Sequence, residues 1–180
     1  MKKSIIILLA VVLLFSVGSQ VFAQEGKAGK PEIKIDETEY PPVVVKISNS
    51  IIKIGDSVEM VWGIMGPPDH IWAMRGKDNR DQDYVKMVYY SYGLNIDVTN
   101  LKNTVQGIMV EENNQVYKLV NLPFKLGQTR QDVINEWGEP EKTIQNTLAY
   151  WKRGVYITTD DEGLITHIFI SSPGKFEDEK

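Results

Sequence analysis

GDSVEMVWGIMGPPD (55–69) returns as GQTRQDVINEWGEPE (127–141), 72 positions later and without a gap. Self-similarity at a fixed offset decides an architecture before any single segment does. At this offset identities fall at Lys46/Lys118, Asn49/Asn121, Lys53/Lys125, Gly55/Gly127, Val61/Val133, Gly66/Gly138 and Pro68/Pro140. Similar residues fill the gaps, as in Ile54/Leu126, Ser57/Thr129 and Asp69/Glu141. The shared pattern, G-x-[ST]-x3-V-x4-G-x-P-[DE], spells a helix of about ten residues with both ends written in. Ser57 and Thr129 are N-cap residues, able to accept bonds from the free N–H groups of the first turn. Asp132 stands at the capping-box position of the second copy. Val61/Val133, Trp62/Ile134 and Met65/Trp137 fall at helical spacing and predict an apolar stripe. Gly66 and Gly138 supply the left-handed residue that ends a helix, and Pro68 and Pro140 forbid its continuation.

After each helix the chain turns β-rich. The first copy runs YVKMVYYSYGLNIDVTNLKNTVQGIMV (84–110), the second TLAYWKRGVYITTDDEGLITHIFI (147–170). Aligning Gly93 with Gly154 pairs Tyr89 with Tyr150, Leu94 with Val155 and Ile96 with Ile157. One extra turn residue in the first copy then brings Val105/Ile165, Ile108/Ile168 and Val110/Ile170 together. Turns such as Asp160-Asp161-Glu162-Gly163 separate the runs. Further β runs, VVVKIS (43–48) and VYKLV (116–120), lead into the helices. A helix with one apolar stripe and a meander with one apolar face must cover each other. The expected fold is therefore α+β: two tandem helix/antiparallel-meander repeats, 43–112 and 113–172, forming one continuous sheet with both helices on one face. RGKDNRDQD (75–83), too polar to pack, is expected to be a solvated loop inserted in the first repeat.

Residues 1–23 read as a secretory signal peptide: Lys2 and Lys3, an apolar run from Ile5 to Phe15, then Val21-Phe22-Ala23 before the expected cleavage point. No later stretch approaches a membrane-spanning length of apolar residues. Segments 24–42 and 173–180 lack periodicity and are expected to be flexible. Without the two N-terminal lysines, 18 basic residues face 24 acidic ones, a formal net charge of −6. That balance argues against nucleic acid and against an anionic membrane surface as partners. The chain has no cysteine, so it cannot carry disulfides or an N-terminal lipid anchor on cysteine. The expected location is periplasmic or extracellular.

The residues offer little chemistry. Thiol catalysis and zinc–thiolate sites need cysteine. His70 and His167 lie in different copies, no G-x-S-x-G elbow accompanies them, and no glycine-rich phosphate loop is present. Asn79-x-Asp81-x-Asp83 imitates half a calcium loop but has Tyr84 where glycine is needed and Tyr90 where glutamate is needed. The reading is a non-enzyme with no metal and no cofactor.

With its glycine- and proline-bounded helices, each followed by an aromatic strand and a glycine (Tyr89-Tyr90-Ser91-Tyr92-Gly93 and Tyr150-Trp151-Lys152-Arg153-Gly154), the chain resembles the β-lactamase-inhibitor-protein-like superfamily. That group includes the small outer-membrane assembly lipoproteins of the SmpA/OmlA type. The resemblance covers nearly all of 44–170 and rests on Gly55, Ser57, Val61, Gly66 and Pro68 with Gly127, Thr129, Val133, Gly138 and Pro140. The chain departs from the lipoproteins in having no lipidated cysteine and two repeats, and from the inhibitors in having no disulfides. The resemblance implies protein binding in the envelope or outside the cell.

If Leu94, Ile96, Val155 and Ile157 face the helices, alternation sends Tyr89, Ser91, Asn95 and Met109, with Tyr150, Lys152, Tyr156, His167 and Phe169, to the open face. Rigid aromatics with polar tips there suit a protein-binding hot spot. Asp69–Met74, read as a segment the second copy lacks, is expected to be a loop whose Trp72 and Met74 either tuck under the sheet or meet a partner. The expected function is an exported, non-catalytic protein-binding module in envelope assembly or maintenance. The alternatives are a secreted inhibitor of an enzyme such as a β-lactamase or peptidase, and a small-ligand or peptidoglycan-binding domain.

Overall fold

The computed structural model describes residues 39–76 and 80–174. The expected signal peptide (1–23), residues 24–38, positions 77–79 and the residues from 175 lie outside the described residues.

The two helices form where their caps are written. Helix α1 spans Val58–Met65 and α2 spans Arg130–Trp137, eight residues each. The Ser57 hydroxyl accepts from the Met60 N–H at 3.3 Å. Thr129 makes a full capping box: its hydroxyl accepts from the Asp132 N–H while the Asp132 carboxylate accepts from the Thr129 N–H at 2.8 Å. Those bonds from Thr129, its backbone N–H first, hold the Asp132 carboxyl below its ordinary range. Gly66 and Gly138 close the helices at φ 79°, but with ψ near −170° rather than in the left-handed helical well. Almost only glycine tolerates that combination. The stripe is narrower than expected: Val61, Met65 and Val133 are buried, whereas Trp62 is 47 % exposed and its indole N–H points at the Met87 sulfur, 3.2 Å away.

Eleven strands follow in chain order among the described residues: β1 (Val44–Ile47), β2 (Ser50–Ile52), β3 (His70–Met74), β4 (Tyr84–Tyr89), β5 (Leu94–Thr99), β6 (Val105–Val110), β7 (Lys118–Val120), β8 (Lys142–Ile144), β9 (Thr147–Tyr150), β10 (Val155–Thr159) and β11 (Ile165–Ser171). Eight form one antiparallel sheet in the order β3-β4-β5-β6-β11-β10-β9-β8, so β6 and β11 join the two halves at its centre. The remaining three form a small sheet, β2-β1-β7. The fold is thus α+β with a large continuous antiparallel sheet. The runs ahead of the helices do not join that continuous sheet; they pair with each other, Val45 opposite Leu119.

Two further expectations are corrected. Asp69–Met74 is no loop: His70–Met74 is an edge strand, exposed throughout, and Trp72 and Met74 do not tuck beneath the sheet. The second half does not lack this segment either, since β8 begins at Lys142, 72 positions after His70. In the insertion, Arg80–Gln82 form a 3-10 turn, and the Asp83 carboxylate accepts the Gly76 N–H at 2.9 Å. The Asp160–Gly163 turn is as expected, with the Asp160 carboxylate accepting from Glu162 and Leu164.

One face of the large sheet is apolar across its width. Cross-strand registers place Tyr89, Leu94, Val110, Ile168, Ile157 and Leu148 on it, together with Met87, Ile96, Ile108, Ile170, Val155 and Tyr150. These pack in one core with Val61, Met65 and Val133 of the helices and Val45 and Ile52 of the small sheet. Both helices and the small sheet therefore cover the same face, and among the described residues no helix or further sheet lies on the opposite one.

Candidate protein-binding face

Tyr89 and Tyr150 do not belong to the open face. Both are 2 % exposed. A four-residue turn separates Tyr89 from Leu94 and Tyr150 from Val155, and each pair lies directly opposite in the ladder. Directly opposed residues share a face, so counting alternation through the turn gave the wrong side. The Tyr150 hydroxyl donates to the Gly138 carbonyl at 2.7 Å and the Tyr89 hydroxyl to the Gly66 carbonyl at 3.4 Å. Each tyrosine thus ties the end of a helix to the sheet, and burial pushes each phenol up to about 12. Lys152 is exposed but sits in the 3-10 turn Trp151–Arg153, its ammonium 5.6 Å from the Trp151 ring. Ser91 likewise lies in the turn after β4.

The open face is built in rows. One row crosses all eight strands: His70, Val88, Asn95, Met109, Phe169, Tyr156, Ala149 and Lys142. Beside it run Trp72, Lys86, Asp97, Gly107 and Ser171. On the other flank Thr158 faces His167. The structure therefore brings Trp72, Tyr156, Phe169 and His167 onto one surface, with Trp72 about 19 Å from Phe169 at the strand spacing of the sheet. The expected location of Tyr156, His167, Phe169 and Met109 agrees with their register.

Phe169 and Tyr156 form a tilted pair, ring centroids 6.2 Å apart. The Phe169 ring lies over Gly107, where a β-carbon would come within 2.7 Å of it. Burial raises the Tyr156 phenol, opposed by a hydrogen bond with Ser171. At the β3 edge Trp72 is 57 % exposed, and His70 meets the Tyr90 ring edge-on at 5.5 Å. Such a surface can dock a flat or extended protein segment: aromatic rings supply area at low entropy cost, and the hydroxyl, imidazole and amine supply direction.

Sequence reasoning missed the role of two residues at the centre of this face. Asn95 and Asp97 are 6 % and 9 % exposed. The Asn95 amide donates to the Glu111 carboxylate at 2.7 Å, while Asn95 Oδ1 and Asp97 Oδ1 find no partner. Burial pushes the Asp97 carboxyl up, against the charge of Lys86 directly across the ladder. Gly107, a glycine inside a strand, was the signal for a close approach on this side.

On the covered side, a cavity of about 570 Å³ lies beside the core, lined by Val110, Tyr117, Leu122, Phe124 and Ile168 with Lys118 and Lys125 at its margin. None of the expected binding residues line it. Among the described residues no three His, Asp or Glu side chains gather where they could hold a metal ion, and no helix is long and apolar enough to cross a membrane.

No protein-family model matches the chain, and no curated protein does. Among solved structures, a cysteine-rich secretory protein from Staphylococcus aureus subsp. aureus Mu50 is similar over 66 % of this chain and 44 % of its own, at 15 % identity and a TM-score of 0.43. The chain thus spans less than half the length of that protein.

Proposed function

We propose that this chain is an exported, non-catalytic protein-binding module of the cell envelope, serving its assembly or maintenance, and that the uncovered face of the large sheet is its binding surface. One observation carries the reading: helices and small sheet crowd onto one side, leaving Trp72, Tyr156, Phe169 and His167 together on the other. Tandem duplication, with repeats at 43–112 and 113–172, is part of the same reading. It is supported bond by bond: Gly55 N–H donates to Val105 O at 2.8 Å and Gly127 N–H to Ile165 O at 2.7 Å. Val58 N–H donates to Asn103 O, and Arg130 N–H to Gly163 O. A scaffold of this kind is what the resemblance to the β-lactamase-inhibitor-protein-like superfamily implies.

The test is cross-linking of tagged protein in native envelopes, with mass spectrometry of what is captured. Alongside runs the variant Trp72→Ala/Tyr156→Ala/Phe169→Ala, checked by circular dichroism to be folded. Reproducible capture of one envelope protein, lost in the variant, is the expected result. Capture that persists in the folded variant overturns the surface. Protein recovered only from the medium moves the function to secreted inhibition.

A further inference from the structure

Inverted polar chemistry sits in the middle of the open face. Asn95 Oδ1 and Asp97 Oδ1 are both acceptors, both belong to side chains more than nine-tenths buried, and neither finds a donor among the described residues. A buried acceptor without a donor loses its hydration and gains nothing in return, so it calls for an explanation.

The scaffold does not demand these groups. Aligning Gly93 with Gly154 sets Asn95 against Tyr156 and Asp97 against Thr158 in the second half. Both halves carry a register shift at this level, between Asp97 and Val98 and between Thr158 and Thr159. Yet the Thr158 hydroxyl is satisfied by Thr147 at 3.0 Å. The same backbone thus works with a satisfied hydroxyl where the first half holds an unsatisfied acid. Across the ladder from Asp97 stands Gly107, whose missing side chain leaves the acid flanked by the edge of Phe169.

We infer that Asn95 and Asp97 are the receiving half of an ion pair, and that the binding face takes an arginine side chain of its protein partner at this point. The inference rests on the reading of this face as a protein-binding surface. Both oxygens need donors, one belongs to a carboxylate, and a guanidinium offers several N–H groups in a plane. Phe169, whose ring lies over Gly107 beside the acid, supplies a face on which that plane can stack. Lys86, the cation opposite, acts as a point charge and leaves the planar, two-oxygen demand unmet.

The experiment titrates isotope-labelled protein, expressed with its own leader and purified from the compartment it reaches, with N-acetyl-arginine amide while backbone amide resonances are followed. The uncharged isostere N-acetyl-citrulline amide is the control. Saturable shifts confined to Asn95–Val98, Gly107 and Phe169 with arginine, and weaker by about tenfold in Asp97→Asn, are expected. Asn95→Thr, which keeps a strand-forming residue, should weaken the same titration. Equal shifts with citrulline, no saturable shift, or an Asp97→Asn protein that unfolds would overturn the assignment, the last because the acid would then be structural. If an envelope partner is captured through Tyr156 and Phe169 but survives Asp97→Asn, the arginine site falls and the face stands. If arginine titrates the site and no envelope protein is captured, the reverse holds.

Discussion

The two halves of the sheet do the same mechanical job with unequal workmanship. In the second half Tyr150 reaches Gly138 at 2.7 Å, stacks edge-on against Trp137 at 5.3 Å, and Trp137 in turn meets Phe124 at 4.6 Å and Arg153 at 4.5 Å. In the first, Tyr89 reaches Gly66 at 3.4 Å and has Tyr92 as its aromatic neighbour. Thr129 has a complete capping box, whereas the Ser57 hydroxyl accepts a single bond from Met60. The first half instead exposes Trp62, Ile71 and Trp72 and buries two unpaired acceptors. One half ties its helix closely to the sheet; the other exposes more of its aromatics and holds two acceptors without a donor among the described residues.

That contrast can be broken. Tyr150→Ala should cost about 3–5 kcal/mol in urea unfolding, as truncation of a core aromatic does, and Tyr89→Ala less. A larger loss at Tyr89 would reverse the ranking of the halves. Gly154→Ala should cost more than the roughly 1–2 kcal/mol of a left-handed residue, because its β-carbon would strike the Ser171 carbonyl and the Pro173 nitrogen. At Gly93 the added carbon meets the Glu112 β-carbon, and a smaller loss is expected. Thermal melts of the two variants decide it. Thr129→Ala should lower stability by about 1–2 kcal/mol and Ser57→Ala by about 0.5–1 kcal/mol; equal losses would mean the capping box adds nothing.

The smallest effect is electrostatic. Burial raises the Asp97 carboxyl in the folded state, so its protonated form is favoured by folding. The stability it contributes is fully present below its unfolded value and is lost as pH rises through the folded value. The melting temperature of Asp97→Asn minus that of the parent should therefore grow from the ordinary carboxylate range upward and then level off. A difference that stays flat, or falls, would mean Asp97 is not strained.

What was legible in the sequence is what short-range chemistry writes. Ser57, Thr129, Gly66, Gly138 and the two prolines fixed both helices because caps and terminators act over a few residues. The meander strands were legible for the same reason, apolar alternation bounded by Gly93, Gly154 and Gly163. What was lost needed distance. β1 and β7 pair across more than 70 positions in strands of three or four residues, and nothing in so short a run names its neighbour. The side on which Tyr89 and Tyr150 stand depended on how a turn closes. The orphaned oxygens of Asn95 and Asp97 depend on what covers them, which alternation cannot give.

The pairing of β6 with β11 also sets an order of events. Until Ile165–Ser171 has been made, Val105–Val110 is the bare margin of a half-built sheet, with its apolar face completed by nothing on that flank. At roughly 5–20 residues per second, the intervening 55 or so residues take several seconds to emerge. An uncovered strand margin of that kind invites pairing with other chains. The late arrival of β11 therefore makes Val105–Val110 the segment at which a chain released before its last strand would pair wrongly.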